Sequence, residues 1–189
     1  MSRSQEGADV AHLTAFVAAR WNALLRVAYL LTGDRSSAED LVQTALAKTY
    51  VAWPRIRDTG AVEGYVKRTM VTTYTSWWRR HRGRESAVAE PADAGGRPLA
   101  APGATPADDL ESVLHRSVLW PHLARLPRGQ RATVVLRFYE DLSEAETAAL
   151  LGCTTGTVKS QTHRALATLR AAMLESGLAV VDDEGRVTR

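Results

Sequence analysis

The sequence predicts an all-α protein of two small helical domains joined by a flexible linker. Three observations predict this class. Apolar residues recur with helical spacing on both sides of a central segment. That segment is rich in proline and glycine, and the sign of the charge changes there. The predicted boundaries are residues 1–84 and 109–176 for the domains, 85–108 for the linker and 177–189 for a short C-terminal tail.

The first domain contains three predicted helices. The first ends at Thr32-Gly33-Asp34, and the capping-box pattern from Ser36 to Glu39 predicts the start of the second, which Pro54 ends. The third runs from about Val62 to His81, since no alternation of period two is sustained there. The apolar stripes are Leu13, Phe16, Val17, Leu24, Ala28 and Leu31; Ala38, Leu41, Val42, Ala45, Leu46 and Thr49; and Tyr65, Val66, Thr69, Met70, Thr73 and Trp77.

The central segment, residues 85–108, has four prolines, three glycines and no aromatic residue, so it cannot bury enough surface to offset its ordering entropy. Charge follows the same division. Residues 1–84 carry 13 basic against 7 acidic side chains, a net +6, and residues 110–175 carry 8 against 6, a net +2. Residues 85–109 carry 1 against 5, a net −4. Two basic blocks around an acidic connector favour a polyanionic partner for the blocks.

The second domain is again predicted to be helical. One helix runs from Asp109 to about Leu126 and bends near Pro121, and Pro127 begins the next helix. A second capping box follows at Ser143–Glu146. The apolar residues of the helix after Pro127 are Val134, Val135, Leu136 and Phe138.

The next segment has the pattern of a helix-turn-helix. Gly152 permits the left-handed conformation that a tight turn between helices requires. Thr154 caps the second helix, whose Val158, Ala165 and Leu166 are predicted to face inward. The alternative interpretation is an ordinary helical hairpin with a solvated face. The predicted outer face, which carries donors and acceptors suited to phosphates and major-groove base edges, consists of Thr157, Lys159, Ser160, Gln161, His163 and Arg164.

An enzyme is not predicted. Cys153 is the only cysteine, which excludes a disulfide framework and a cysteine-rich zinc site. The sequence has no metal-spaced histidine set and no glycine-rich phosphate loop, so neither a metal nor a cofactor is expected. Residues 1–20 lack an export signal, and no apolar run reaches about 18 residues. The expected location is therefore the cytoplasm, with no membrane association.

Two adjacent tryptophans, Trp77 and Trp78, precede a run of four arginines that ends at Arg84. Burial explains a tryptophan, and a solvated helix end explains the arginines. Together they also describe a surface that holds phosphates while it stacks on unpaired bases. We expect Trp77 in the core and Trp78 partly exposed, and both interpretations of Trp78 stay open.

Three blocks of the chain resemble an extracytoplasmic-function (ECF, group IV) RNA polymerase sigma factor, and most closely the actinobacterial SigE-like branch of the sigma-70 family. Leu30–Gln43 resembles the segment that docks on RNA polymerase. Gly64–Met70, which runs into Trp77–Arg80, is similar to the promoter-melting segment. Leu126–Ser143, continued by Gly156–Ser160, resembles the domain that reads the −35 element.

The resemblance implies a protein without catalytic activity that binds core polymerase at the clamp helices and flap, as a monomer when free, and directs it to promoter DNA. An anti-sigma protein is a further candidate partner. For the −35 element it implies Lys159, Ser160, His163 and Arg164 on the outer face described above, with Arg131 and Arg137 as weaker phosphate contacts. For polymerase binding it implies Asp40, Gln43 and Arg55. For the −10 element and melting it implies Arg57, Thr59, Gly60, Arg68, Thr72, Trp78, Arg79, Arg80 and Arg82.

Some positions depart from the family pattern. Tyr65 stands where the family usually has Trp, and Thr72 where Asn is frequent. Gln161 replaces a frequent Arg, and Thr147 replaces an Ile-like residue, which is expected to loosen helix packing. A stand-alone helix-turn-helix regulator that binds an operator without polymerase is the alternative function. The promoter consensus and the inducing signal do not follow from the sequence.

Overall fold

The computed structural model describes residues 3–56, 61–85, 119–177, 180–181 and 187–188. The chain divides into two compact units, Met1–Asp93 and Ala94–Arg189. The described residues of both are mostly helical, which confirms the predicted all-α class with two helical domains. Residues 86–108 of the predicted linker and 109–118 of the predicted fourth helix lie outside the described residues. No helix in the described ranges is long and apolar enough to cross a membrane.

The described residues of the first unit form three α-helices, α1 (Arg3–Thr32), α2 (Arg35–Ala52) and α3 (Val62–Glu85). A 3₁₀ helix, Trp53–Arg55, follows α2 and contains Pro54, in agreement with the predicted end of α2. Because α2 packs against both α1 and α3, the apolar stripes of all three helices meet in one core. The largest fully buried side chains of this core are Leu24, Leu31, Leu41, Val42, Val66 and Met70.

The cap of α2 is Asp34, and the predicted capping box of Ser36 and Glu39 is wrong. Asp34 Oδ1 accepts a hydrogen bond from Ser37 N at 2.8 Å, while Glu39 pairs with an arginine of its own helix at 2.9 Å. Gly33 has φ of 91° and therefore turns the chain immediately before Asp34. Asp34 then has the extended backbone of an N-cap, and its carboxylate reaches the amides of the first turn.

Two polar contacts fix α3 against the other helices. Lys48 Nζ donates to Thr73 Oγ1 at 2.9 Å and joins α2 to α3. Arg20 Nε lies 3.2 Å from Glu63 Oε2 and joins α1 to α3. These contacts, added to the apolar core, determine which side of α3 is left exposed.

From residue 119 onward, the described part of the second unit contains five helical segments: α4 (Trp120–Ala124), α5 (Arg128–Val134), a π-helical turn (Val135–Tyr139), α6 (Glu144–Leu151) and α7 (Thr155–Glu175). The long helix α7 packs against α4, α5 and α6, so it is the central element of this unit. The buried side chains that line it and its neighbours include Trp120, Leu123, Leu126, Leu136, Val158 and Leu169.

The two prolines among the described residues of this unit, Pro121 and Pro127, lie at helix starts. Pro127 is the N-cap of α5, in agreement with the prediction. Pro121 lies in the first turn of α4, where the missing N–H of a proline costs no helical hydrogen bond. The predicted bend inside a longer helix is wrong, because α4 begins at Trp120. Phe138, predicted as an apolar residue of the helix after Pro127, is 58% exposed, because the π-helical turn ends the helix there.

A short antiparallel ladder lies in the segment predicted to be a tail. Its strands are β1 (Val180–Val181) and β2 (Val187–Thr188), with Val180 opposite Thr188 and Val181 opposite Val187. β-Branched residues favour extended backbone. The sequence pattern did not reveal these strands because two residues are too few to establish a period of two.

Asp34→Ala should lower the free energy of unfolding by about 1 kcal/mol, because the amide of Ser37 loses its acceptor. Ser36→Ala is the matched control, and a change below about 0.5 kcal/mol is expected for this exposed position. Urea unfolding of the full chain, followed by circular dichroism, measures both. A larger loss for Ser36→Ala than for Asp34→Ala would contradict the cap seen at Asp34.

Candidate nucleic-acid interfaces

Helices α6 and α7 form the predicted helix-turn-helix. The capping box at the start of α6 is present: Ser143 Oγ accepts from Glu146 N at 3.2 Å, and Glu146 Oε2 accepts from Ser143 N at 2.8 Å. Gly152 has φ 62° and ψ 45°, the left-handed conformation that the sequence predicts. Thr154 Oγ1 accepts from Thr157 N at 3.1 Å and caps α7. These three local predictions are confirmed, and together they set the direction in which α7 leaves the turn.

The carboxylate of Glu146 is stabilised in its ionised form. Hydrogen bonds from the Ser143 side chain, and then from the Ser143 backbone, lower the pKa of Glu146 from its ordinary value. A negative charge at this position also complements the dipole at the start of α6. The contribution to stability is therefore present above the ordinary carboxylate pKa and is lost as the pH falls through the lowered one.

One side of α7 is buried and the other is exposed. Val158 and Ala165 are fully buried, as predicted. Leu166, predicted to face inward, is 42% exposed, because it lies about 100° around the helix from Ala165 and outside the stripe that continues to Leu169. The exposed side brings four of the predicted DNA-reading residues together. They are Lys159, Ser160, His163 and Arg164.

Two other residues of the predicted outer face are half-buried. Thr157 lies in the cap of α7, where its hydroxyl is 2.9 Å from that of Thr154. Gln161 Oε1 accepts a hydrogen bond from Thr133 Oγ1 on α5 at 2.8 Å. Gln161 comes three residues after the buried Val158, which places it at the edge of the buried stripe. The expectation that both side chains face fully outward is therefore wrong.

Three charged side chains that were predicted to contact DNA interact with other groups of the protein. Lys159 Nζ lies 3.6 Å from Glu144 Oε2 at the start of α6, with both groups open to solvent. Arg131 is buried, and Arg137 Nη1 donates to the carbonyl of Leu142. Arg131 is thus ill placed to meet a phosphate, whereas the phosphate contact of Arg137, which is half-buried, stays a prediction.

A second exposed surface follows one side of α3. Its members recur at intervals of three and four residues and are Tyr65, Arg68, Thr72, Ser76 and Arg79, with Arg80 beside them. Tyr65 was predicted to lie in the apolar stripe but is 38% exposed. Two of the arginines, Arg68 and Arg79, flank Thr72, so the surface combines cationic donors with hydroxyls and one aromatic ring. The side chain of Arg82 and residues Arg57, Thr59 and Gly60 lie outside the described residues.

Both tryptophans of the pair on α3 are half-buried. Partial exposure of Trp78 agrees with the expectation, whereas Trp77 is not a fully buried core residue. The reason is their position near the end of α3, beyond the buried Tyr74 and Thr75.

A third exposed surface lies on α2. Asp40 and Gln43, the predicted polymerase contacts, are exposed there one turn apart, and Arg55 is exposed in the following 3₁₀ helix. Tyr50 and Val51 share this side of α2 and are 49% and 80% exposed. The sequence pattern did not single out Tyr50 and Val51, although they lie seven and eight positions after Gln43 and therefore share its side of the helix.

The described residues offer no metal centre. No group of three or more histidine, cysteine, aspartate or glutamate side chains in these ranges could hold a metal ion. Cys153 is half-buried in the turn between α6 and α7. The exposed surfaces of these residues therefore carry hydrogen-bonding, cationic and aromatic groups.

Two protein-family models match the chain. One, Sigma-70 region 2, matches residues 16–84, and the other, Sigma-70, region 4, matches residues 123–169. The chain belongs to the sigma-70 family. Region 2 contains the exposed surfaces of α2 and α3, and region 4 contains the helix-turn-helix. The region 2 match favours a sigma factor over the stand-alone regulator, which has no need of that region.

Similar proteins of known identity are also sigma factors. The RNA polymerase sigma-E factor of Streptomyces coelicolor is 39% identical over 171 residues, which cover 90% of each chain. The ECF RNA polymerase sigma factor SigL of Mycobacterium tuberculosis is 33% identical over 159 residues, which cover 82% of this chain and 85% of the relative. Membership of the ECF group, recognised from the sequence, is confirmed.

A solved structure has the same fold. The sigma factor RpoE from Bartonella quintana, crystallised in complex with the anti-sigma factor NepR, has a TM-score of 0.56 and 24% identity. The match covers 85% of this chain and 96% of that chain. The arrangement of helices within region 2 and region 4 thus has a counterpart in an experimental structure.

Thr147→Val should raise the melting temperature of region 4 by several degrees, corresponding to about 1 kcal/mol. Thr147 is fully buried on α6, and its hydroxyl has no hydrogen-bond partner among the described residues. Removing the hydroxyl at nearly constant volume therefore relieves an uncompensated desolvation cost.

Thr133→Val is the matched control for this substitution. Thr133 is equally buried, but its hydroxyl is hydrogen-bonded to Gln161, so its loss should lower the melting temperature. Differential scanning calorimetry of the full chain measures both changes. If Thr147→Val also lowered the melting temperature, the hydroxyl of Thr147 would have a partner in solution.

Proposed function

We propose that this chain binds core RNA polymerase and directs it to promoters whose −35 element is read by region 4 and whose −10 element is opened by region 2. The observation that carries the proposal is the presence, in one sigma-70 family chain, of two exposed polar surfaces. One is the outer side of α7, and the other is the arginine-bearing side of α3. The side of α7 suits duplex DNA, and the side of α3 suits separated strands.

Region 4 is proposed to read duplex DNA. A capped helix that leaves a tight turn with its polar side exposed fits the major groove. Arg164 is suited to a bidentate contact with guanine, and Lys159, Ser160 and His163 to neighbouring bases and phosphates. Lys159 must exchange Glu144 for a phosphate in this pose, and their solvent-exposed ion pair is weak enough to allow it.

Region 2 is proposed to hold separated strands. Arg68, Arg79 and Arg80 supply exposed cations for the backbone, and the half-buried Trp78 offers a ring for stacking. Unstacking a base costs a few kcal/mol, which these contacts must offset. We assign Arg82 to the same cationic stripe, Thr72 to base contacts, and Arg57, Thr59 and Gly60 to the pocket of a flipped base.

The exposed side of α2 is proposed to bind polymerase. Asp40, Gln43 and Arg55 offer polar contacts, while Tyr50 and Val51 add apolar area that favours a protein partner. An anti-sigma protein that covered this side would compete with polymerase. Catalysis belongs to the polymerase, and the chain acts with it in the cytoplasm without a cofactor of its own.

Arg164→Ala should reduce promoter-dependent run-off transcription by about tenfold or more, because a bidentate guanine contact is lost. Core polymerase with and without the chain, on a promoter selected from genomic DNA by the holoenzyme, provides the assay. Arg170→Ala is the matched control, since Arg170 is exposed on the same helix but lies beyond the region 4 match. Specific binding of the free chain to duplex DNA, with no effect on core polymerase, would contradict the proposal.

Val51→Glu should weaken binding to core polymerase by roughly tenfold or more, because the new carboxylate would lose its water at the interface. The melting temperature should hardly change, since Val51 is 80% exposed. Ala23→Glu, at an exposed position of α1, is the control for added charge. Biolayer interferometry with immobilised core polymerase measures the affinities, and equal affinities for the two variants would exclude this side of α2 from the interface.

A further inference from the structure

A hydrogen bond between Thr133 and Gln161 joins α5 to the DNA-reading helix α7. Thr133 is fully buried, and its Oγ1 lies 2.8 Å from Gln161 Oε1. Gln161 is half-buried, so part of the residue is accessible to solvent. The contact therefore joins the interior of region 4 to a side chain at the edge of the groove-facing surface.

The proton of this contact can be assigned. Thr133 Oγ1 has one hydrogen and lies within reach of two acceptors, Gly129 O at 2.9 Å and Gln161 Oε1 at 2.8 Å. Gly129 O is also the ordinary acceptor of the main-chain amide four residues later in a helix, so it does not depend on the hydroxyl. Two oxygens 2.8 Å apart with no hydrogen between them would repel each other. With the amide oxygen of Gln161 facing Thr133, the hydroxyl hydrogen therefore lies between the two residues.

Gln161 has neighbours that read DNA in the proposed function. Residues three and four positions apart lie side by side on a helix, which places Gln161 between Thr157 and Arg164. Because its oxygen points toward Thr133, the amide turns its N–H groups toward an outside partner. Arg164 also carries donors alone. This flank of α7 consequently presents donors to the groove.

We propose that Gln161 is a specificity-determining residue of region 4 and that Thr133 is the positioning residue that sets its preference. The inference rests on the proposed function and names the chemistry that the site selects. A glutamine amide recognises adenine by using its oxygen and its nitrogen together. Because the hydrogen bond to Thr133 directs the oxygen toward α5, the amide does not present both groups to one base. Gln161 therefore favours a base edge that offers acceptors, guanine or the O4 of thymine, and disfavours adenine.

The test uses holoenzyme made from core polymerase and the full chain. Its affinity is measured in competition on duplex promoters in which each base pair of the −35 element is replaced in turn. Three variants are compared with the unchanged chain: Gln161→Met, Thr133→Val and Thr133→Ser. Circular dichroism melting first establishes that each variant is folded at the temperature of the assay.

The expected result has three parts. Gln161→Met should flatten the preference at one base pair, which identifies the pair that Gln161 contacts. Thr133→Val should shift the preference at that pair toward adenine by roughly fivefold, the value of about one hydrogen bond, because the freed oxygen can now accept from the adenine amino group. Thr133→Ser keeps the hydroxyl and should keep the original preference.

Two results would overturn this inference alone. Thr133→Val could weaken binding to every duplex by the same factor, which would make Thr133 a structural residue only. The unchanged chain could instead prefer adenine at the contacted pair and lose that preference in Thr133→Val, which would reverse the assigned amide orientation. Holoenzyme with no preference among the duplexes would overturn the proposed reading of the −35 element as well, so the two failures are distinguishable.

Discussion

The orientation of α7 is the constraint on which the proposed DNA-reading surface depends. Side chains are fixed around a helix axis, so the direction in which α7 leaves its turn decides which of them can enter a groove. Gly152 supplies a backbone conformation that a residue with a Cβ adopts only at a cost, and Thr154 begins the helix two residues later. The Thr133–Gln161 hydrogen bond then limits rotation of α7 against α5. Small, locally satisfied polar groups thus position a much larger surface.

Helix packing in region 2 leaves two different kinds of surface exposed. Helix α2 lies against both α1 and α3, which leaves it one free side, and that side carries apolar Tyr50 and Val51 among polar groups. The free side of α3 is cationic instead, with Arg68 and Arg79 in line. An apolar surface favours a protein partner, whereas a row of arginines favours phosphates. One three-helix core can therefore serve two partners without a shared surface.

The capping-box pattern in the sequence predicted the start of α6 correctly and the start of α2 wrongly. Ser143 and Glu146 form the expected capping box although Asp141 precedes Ser143 by two residues, because Asp141 has a φ of 51° and not the extended backbone of an N-cap. At the start of α2 the same pattern failed, since the turn at Gly33 presented the carboxylate of Asp34 first. A cap is selected by backbone geometry as well as by residue type. A sequence pattern shows the residue type directly and the backbone geometry only indirectly.

The sequence by itself determined the helical class, the apolar stripes, the turn at Gly152 and the family, because these depend on spacing and residue type within short segments. Only the tertiary structure decided which members of a polar set are exposed. Gln161 is hydrogen-bonded to Thr133 and Arg131 is buried, and both outcomes depend on neighbours that are distant in sequence. Leu166 lies outside the core because it falls beyond the edge of the packed stripe of α7. Contacts between helices depend on where their axes cross, and helical periodicity contains no information on that crossing.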